Sequence, residues 1–174
     1  MGIQFETDYN METLTAMAKS LRKTVRRKRS RRVHIFAAVV LVLGILTILA
    51  TVSGGEPLGA SGVVTLLALL VVILVSLFED RLNAWFARKR LLPGTEHAAA
   101  TFEEDGYVSA TSMSESKFSY AQIVAVAETA RYFVFALSSH HTQAYDKRTI
   151  RGGSVEDFRA FIAEKTGKPV EDIK

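Results

Sequence analysis

Two uncharged apolar runs, close together in the chain, constrain the fold more than any other feature of the sequence. They cover residues 33–52 and 58–78, and neither contains Lys, Arg, Asp or Glu. A helix of about 20 apolar residues crosses the roughly 30 Å of hydrocarbon in a bilayer, so each run is long enough. A hairpin in a soluble core would show polar residues every three or four positions, and these runs do not. The pattern predicts a transmembrane helical hairpin over residues 33–78.

Basic residues before the first run predict how this hairpin is oriented. Residues 19–32 contain nine cations and no acid, whereas the break between the runs has Glu56 as its only charge. Lys and Arg stay on the cytoplasmic side of a membrane. We therefore expect a multi-pass protein of the inner (plasma) membrane with both termini in the cytoplasm, and a cleaved secretory signal is not expected. The residues expected to determine this topology are Arg26, Arg27, Lys28, Arg29, Arg31 and Arg32.

Residues 1–32 combine a short strand signal with a basic amphipathic helix. Ile3 and Phe5 alternate with polar neighbours, and Asp8 or Asn10 is suited to cap a following helix. We expect the strand to join the sheet of the C-terminal domain. The helix has two open interpretations: it extends the first membrane helix and packs on protein, or it lies on the anionic inner leaflet. Nucleic acid is not an expected partner, since no aromatic residues interleave with the cations. The apolar face of this helix consists of Met11, Leu14, Ala18, Leu21 and Val25.

Residues 79–93 retain helical character after the second run and end at Pro93, which cannot continue a helix. Trp85 in this segment is expected to anchor at the headgroup level or to contact the extension of the first helix. No charged residue lies within either apolar run. Because an ion or proton path usually requires such a residue, a transporter or channel is not expected.

Residues 94–174 change to the short alternating patterns of strands. Asp105-Gly106 is a strong hairpin signal, and about six short strands follow one another as an antiparallel meander. Ser154 and Asp157 form a capping-box-like start of a final helix, whose apolar stripe includes Phe158 and Ile162. A meander closed by one amphipathic helix predicts an α+β domain.

No catalytic, metal or cofactor site is expected in this domain. His140 and His141 are adjacent, so on an extended chain they point to opposite sides and do not easily share one metal. Gly152-Gly153 lacks the Lys-Ser/Thr of a phosphate-binding loop, and the chain has no cysteine. The candidate contacts for anionic lipid headgroups or a protein partner are Lys147, Arg148 and Arg151.

The C-terminal residues resemble those of YcxB-like bacterial membrane proteins. The resemblance rests on the order of loose motifs: the acidic-Gly turn at 105–106, the aromatic-x-x-Ile step at Tyr120, the Lys-Arg pair at 147–148 and the final helix. Two departures are Tyr120, where the family often has tryptophan, and Asp146, where proline is common. The family layout of a short N-terminal segment, two membrane helices and a cytoplasmic domain also matches. The resemblance implies a pleckstrin-homology-like fold and no assigned enzyme activity.

Together these features predict a membrane-anchored, non-enzymatic interaction module. Its expected partners are the lipid bilayer, anionic headgroups and an unidentified membrane or cytoplasmic protein, either recruited by the domain or met at the inner leaflet. An alternative is an accessory or regulatory subunit of a membrane enzyme or transporter, with the helices as the interface. The expected units are residues 1–32, the hairpin at 33–78, the helical extension at 79–93 and the domain at 94–174.

Overall fold

The computed structural model describes residues 2–55 and 57–173, so Glu56 lies outside the described residues. Its helices are α1 (Met11–Lys23), α2 (Arg27–Ser53), α3 (Ala60–Leu77), α4 (Glu79–Lys89) and α5 (Val155–Thr166). Its strands are β1 (Ile3–Asp8), β2 (His97–Phe102), β3 (Tyr107–Thr111), β4 (Glu115–Phe118), β5 (Ala125–Glu128), β6 (Tyr132–Ala136), β7 (Thr142–Asp146) and β8 (Val170–Asp172).

The strands form two four-stranded sheets, in the orders β1-β2-β3-β4 and β7-β6-β5-β8. Neighbouring strands run antiparallel, except that β8 lies parallel to β5. Together with α5 these sheets are called the β domain below. The expected α+β class is therefore found. The expectation of about six strands within residues 94–174 was short by one, because β8 is a three-residue strand directly after Pro169 and carries almost no alternation signal.

The first strand pairs with β2 across a long helical insertion. Ile3 lies opposite Phe102, and Asp8 lies opposite His97. The prediction that the N-terminal strand joins the sheet of the C-terminal domain is confirmed. The chain therefore leaves the β domain after β1, forms helices α1 to α4, and returns to the β domain at β2.

Aromatic side chains from both sheets and from α5 fill the centre of the β domain. Phe158 of α5 lies 4.7 Å from Phe5, 4.8 Å from Phe102 and 5.0 Å from Phe133, measured between ring centroids. Phe158 is fully buried. Ser154 and Asp157 form the predicted capping box at the start of α5: the Asp157 N–H donates to Ser154 Oγ at 3.0 Å, and the Ser154 N–H donates to Asp157 Oδ2 at 3.0 Å.

The second sheet is covered on both faces. One face contributes to the aromatic centre, while Tyr132 and Val134 on the other face pack with Ala16 and Met17 of α1. Thr13 of α1 also donates from its hydroxyl to the Tyr132 hydroxyl oxygen at 3.1 Å. All five residues of β6 are buried as a result. The N-terminal helix therefore packs on protein, as one of its two interpretations predicts, but it does not continue into α2, because α1 ends at Lys23 and α2 begins at Arg27.

Helices α2 and α3 are both long and apolar enough to cross a membrane. They contact each other where Gly44 of α2 lies under Leu69: a methyl group at Gly44 would come within 2.5 Å of a Leu69 methyl carbon. Most other large apolar side chains of both helices are exposed. The helix bounds differ from the expected 33–52 and 58–78, since α2 already begins at Arg27 and α3 begins only at Ala60.

Gly152, in the loop before α5, lies against the residues at the start of β1, and substituting it tests how closely the two segments pack. Gly152 has φ +81°, and a Cβ there would lie 2.5 Å from the Gly2 carbonyl oxygen, whereas a Cβ at Gly153 would have its nearest neighbour, an Ile3 methyl, at 3.4 Å. We expect Gly152→Ala to reduce the free energy of unfolding of the β domain by roughly 2 kcal/mol, because an L-residue is strained at this φ. Thermal unfolding in detergent should show a drop of about 10 °C. Gly153→Ala is the control, and an equal drop in both variants would contradict the explanation.

Candidate functional site

A cleft lined with basic residues lies where the α1–α2 turn, α4 and the β6–β7 loop meet. Its volume is about 360 Å³. It brings together residues that are far apart in the sequence, and it borders the first residue of the predicted membrane run. We call it the basic cleft; it is lined by Ala18, Arg22, Arg26, Arg29, Ser30, Val33, Glu79, Asn83 and His140.

The turn between α1 and α2 positions Arg26. The Thr24 N–H donates to the Ser20 carbonyl oxygen as α1 ends, and α2 begins at Arg27. The Arg26 guanidinium then reaches the β6–β7 loop, donating from Nε to the Ser139 carbonyl oxygen at 2.6 Å and from Nη2 to His140 Nδ1 at 2.9 Å. Since Arg donates here, His140 Nδ1 is the acceptor and the ring proton is on Nε2.

A bidentate ion pair fixes the opposite wall of the cleft. Arg22 of α1 donates from Nε and Nη2 to the two carboxylate oxygens of Asp80 in α4, both at 2.7 Å. The hydrogen bond to Asp80 raises the pKa of Arg22 above its usual value. Glu79 lies 3.8 Å from Arg22 Nε and 3.6 Å from His34 Nε2. The charge of Arg22 is thus largely balanced within the protein.

The remaining two arginines of the basic cleft have no acidic partner. Within residues 2–55 and 57–173, neither Arg26 nor Arg29 makes an ion pair, and Arg29 is exposed. No side chain caps the start of α2, and its first turn contains no acid. With Arg22 paired to Asp80 and Glu79 as the carboxylate among the lining residues, Arg26 and Arg29 leave the cleft with a net positive charge, to which the N-terminal end of a helix adds.

The structure divides the predicted topology cluster into two groups. Arg26 and Arg29 line the basic cleft, whereas the other four cations are exposed on the first turns of α2 and do not line it. Their role in topology stays a prediction. The second group consists of Arg27, Lys28, Arg31 and Arg32.

The three predicted contact residues after β7 do not form one patch. Lys147 donates from Nζ to Glu128 Oε1 at 2.9 Å, and its side chain is only 15% exposed. Arg148 pairs with Asp146 at 2.9 Å and is 65% exposed, while Arg151 is 68% exposed and lies 3.5 Å from Glu6. Lys147 is therefore held inside the β domain, and a lipid or partner contact stays a prediction for Arg148 and Arg151.

Glu128 holds the Lys147 side chain away from solvent by accepting its hydrogen bond. The sequence alone did not identify Glu128 as this partner. Arg159 of α5 donates to both Glu128 oxygens, at 2.6 and 2.7 Å. These hydrogen bonds from Arg159, together with Lys147, hold the pKa of Glu128 below its usual value, although burial opposes the shift. An acid at the end of the apolar β5 sequence was the available signal that a buried partner exists.

His140 and His141 lie in the predicted turn, but His140 contributes to the basic cleft. The Ser138 hydroxyl oxygen accepts from the backbone N–H groups of both histidines, at 3.1 and 3.0 Å. This arrangement stabilises the turn and engages the Ser138 hydroxyl. In the part of the chain that the structure describes, no group of three His, Cys, Asp or Glu residues is suited to hold a metal ion.

An open apolar groove runs between α1 and α4 beside the end of α3. Its volume is about 790 Å³. Trp85 lines it, and the Lys89 ammonium lies 3.7 Å from the centre of the Trp85 ring. Trp85 thus shares this groove with residues of α1, and its role as a headgroup anchor or as a contact with the extension of the first helix stays a prediction. We call this surface the apolar groove; it is lined by Met11, Glu12, Thr15, Phe78, Arg81, Leu82 and Trp85.

The ion pairs of Glu128 with Lys147 and Arg159 predict that the free energy of unfolding of the β domain falls in acid. Because its pKa is lowered in the folded state, Glu128 contributes stability above its usual pKa, near 4.5, and that stability is lost as the pH falls through the lower folded value. We expect Glu128→Gln to reduce the free energy of unfolding at pH 7 by about 2 kcal/mol. The free energy of unfolding of this variant should also decrease less between pH 7 and pH 3 than that of the unmodified protein. Urea unfolding from pH 7 to pH 3 measures both effects. Glu103→Gln, at an exposed acid of the hairpin, is the control; a similar loss there would contradict this role.

The comparisons with known proteins concern the C-terminal part of the chain. Residues 102–162 match the family described as YcxB-like protein, a segment that covers β3–β7 and most of α5. No curated protein and no solved structure matches the chain. His140 is the only residue of the basic cleft that lies within the matched segment. The resemblance to the YcxB-like family is confirmed, and the chain contains a YcxB-like region over residues 102–162.

Proposed function

We propose that this chain is a membrane-anchored interaction module that acts at the cytoplasmic surface of the inner membrane. In this proposal α2 and α3 cross the bilayer as a hairpin, and both termini lie in the cytoplasm with the β domain. The nine cations between residues 19 and 32 support this orientation. The exposed apolar side chains along both helices support burial in lipid.

One observation carries the proposal: the β domain is attached to the hairpin at two points and is held against it. The chain enters the hairpin after β1 and returns into β2. Helix α1 packs on both the second sheet and α4, and the Arg22–Asp80 pair joins α1 to α4. A domain fixed in this way stays at a set distance from the bilayer. Its natural targets are lipid headgroups or proteins at that surface.

A pleckstrin-homology-like fold for the β domain is part of the proposal. Its support is a meander of four strands, a second meander of three strands, and a following helix whose Phe158 enters the space between the two sheets. The helical insertion between β1 and β2 and the added strand β8 are features of this chain. Folds of this kind serve many functions, so the fold alone does not assign one.

Single cysteines test the orientation, because the chain contains none of its own. Ser53 and Ser114 are both exposed. In intact cells we expect a membrane-impermeant maleimide to label Ser53→Cys at the end of α2, beside the hairpin turn, and to leave Ser114→Cys in the β domain unlabelled. Labelling of Ser114→Cys after cell lysis provides the control for reactivity. Labelling of Ser114→Cys from outside intact cells would overturn the proposed orientation.

A second candidate function is that of an accessory subunit whose helices bind another membrane protein. The apolar groove favours it, since Leu82 and Trp85 stay partly exposed directly beside the hairpin. Exposed apolar surface of this kind marks interaction sites.

Copurification from native membranes distinguishes the two candidates in the full-length chain. If the β domain captures the partner, we expect the double variant Arg148→Glu/Arg151→Glu to reduce the copurified partner at least fivefold, because both exposed cations reverse their charge. If the helices form the interface, Leu82→Glu in the groove should cause that loss instead. Thermal unfolding of each variant is the control for folding. Retention of the partner by the double variant would contradict capture through these two arginines.

A further inference from the structure

We propose that the basic cleft binds the phosphate group of an anionic membrane lipid through Arg26 and Arg29. This inference rests on the proposed function, because it requires α2 to lie in a membrane. It assigns the ligand class and the site, which the proposed function leaves open.

The cations of the cleft are available to an external anion. Arg26 donates two of its N–H groups, one to the Ser139 carbonyl oxygen and one to His140 Nδ1, and neither acceptor is a carboxylate. A guanidinium has five N–H donors, so Arg26 keeps both its charge and free donors. Arg29 makes no ion pair within the described ranges 2–55 and 57–173. Two guanidinium groups with free donors suit a phosphate, which they bind in bidentate geometry.

The start of α2 adds to this potential. It is a 27-residue helix without a capping side chain and without an acid in its first turn. The helix dipole favours an anion at such an end, while the Arg27 N–H already donates to the Thr24 carbonyl oxygen at 3.2 Å. Because Arg26 is the N-cap residue and Arg29 lies in the first turn, their side chains and the helix end act on the same space.

The neutral groups of the cleft suit a phosphate as well. Asn83 of α4 and the His140 ring, whose proton lies on Nε2, both line it and carry N–H donors. Glu79 is the one carboxylate among the lining residues, and it lies near Arg22 and His34. Because Asp80 already balances Arg22, Glu79 offsets one of the two charges of Arg26 and Arg29, and the cleft keeps a net positive charge.

The position of the cleft selects a lipid as the source of the phosphate. Val33, the first residue of the apolar run, lines the cleft together with Arg29 and Ser30. When α2 crosses the bilayer, this point lies at the boundary between headgroups and hydrocarbon. A lipid can then place its phosphate in the cleft while its acyl chains stay beside α2, an arrangement not available to free phosphate.

Thermal unfolding of the full-length protein in non-ionic detergent tests the site. We expect added short-chain phosphatidylglycerol to raise the unfolding temperature, because a ligand of the folded state stabilises it. Phosphatidylcholine and inorganic phosphate at equal concentration should leave it unchanged. Arg29→Gln should weaken the apparent affinity for phosphatidylglycerol about tenfold, as expected for the loss of a charge-assisted contact. Arg29 is exposed and has no ion pair to lose, so this variant should fold normally.

Arg31→Gln is the matched control, since it removes the same charge from the same helix at a residue that does not line the cleft. We expect it to change the affinity less than about twofold. Equal losses of affinity in Arg29→Gln and Arg31→Gln would overturn the site in favour of diffuse attraction to the basic surface. No loss of affinity in Arg29→Gln would show that phosphatidylglycerol binds elsewhere. Diffuse attraction would also disappear at high salt, where the Debye length falls to about 3 Å at 1 M. Equal protection by inorganic phosphate would overturn the assignment to a lipid.

The orientation experiment separates this inference from the proposed function. If Ser114→Cys is protected in intact cells but phosphatidylglycerol has no effect, the lipid site is wrong and the membrane-anchored module stands. If Ser114→Cys is labelled from outside, the proposed function fails, and with it the reason for placing an inner-leaflet lipid in the cleft.

Discussion

The antiparallel pairing of β1 with β2 is the constraint on which the rest of the structure depends. It joins Ile3–Asp8 to His97–Phe102 across the whole helical insertion. Closing a flexible loop of this length would cost about 4 kcal/mol in its length-dependent entropy alone. The insertion is not flexible, however, because α1 packs directly on α4. Folding of the helices therefore brings the two strands together, and strand pairing in turn fixes the helices to the sheet.

Helix α1 connects the hairpin to the β domain because it uses two of its faces at once. Ala16 and Met17 pack with Tyr132 and Val134 of the second sheet, while Arg22 holds Asp80 of α4. Protein interiors are closely packed and transmit displacements. A shift of α4 would consequently be transmitted through α1 to the outer face of β6. The helical insertion is therefore rigidly connected to the β domain through α1.

Local signals in the sequence predicted the elements well, because each signal depends on neighbouring residues. The apolar runs, the Asp105-Gly106 hairpin and the Ser154 capping box all belong to this class. The apolar sequence of β6 likewise favours a strand with cover on both faces, and all five of its residues are buried. The helix that provides this cover could be read from the structure alone.

The candidate site could not be predicted in the same way, because it depends on contacts between distant segments. Lys147 and Arg148 look equivalent in the sequence, yet Glu128, on another strand, removes only Lys147 from the surface. His140 looks like an ordinary turn residue until Arg26, more than a hundred positions earlier, is found beside it. Nothing in the local sequence distinguishes Arg29 from Arg31, although only Arg29 lines the basic cleft.

The distribution of ion pairs explains how a basic cleft persists beside an acidic domain. Residues 95–174 contain nine bases and twelve acids, an excess that would tend to neutralise nearby cations. The two carboxylates that lie deepest in the β domain are satisfied by its own bases: Glu128 pairs with Lys147 and Arg159, and Asp146 pairs with Arg131 and Arg148. In the helical insertion Asp80 is paired with Arg22, and Glu79, which lines the cleft, carries less charge than Arg26 and Arg29 together.

Arg26 approaches the β domain at a carbonyl and an imidazole, and so meets no carboxylate there. Its charge is positioned by neutral acceptors and is left for a ligand to balance. A carboxylate in place of either acceptor would hold the arginine as firmly but would cancel the potential of the cleft. The neutral anchoring of Arg26 is therefore the feature that separates a binding site from a structural ion pair.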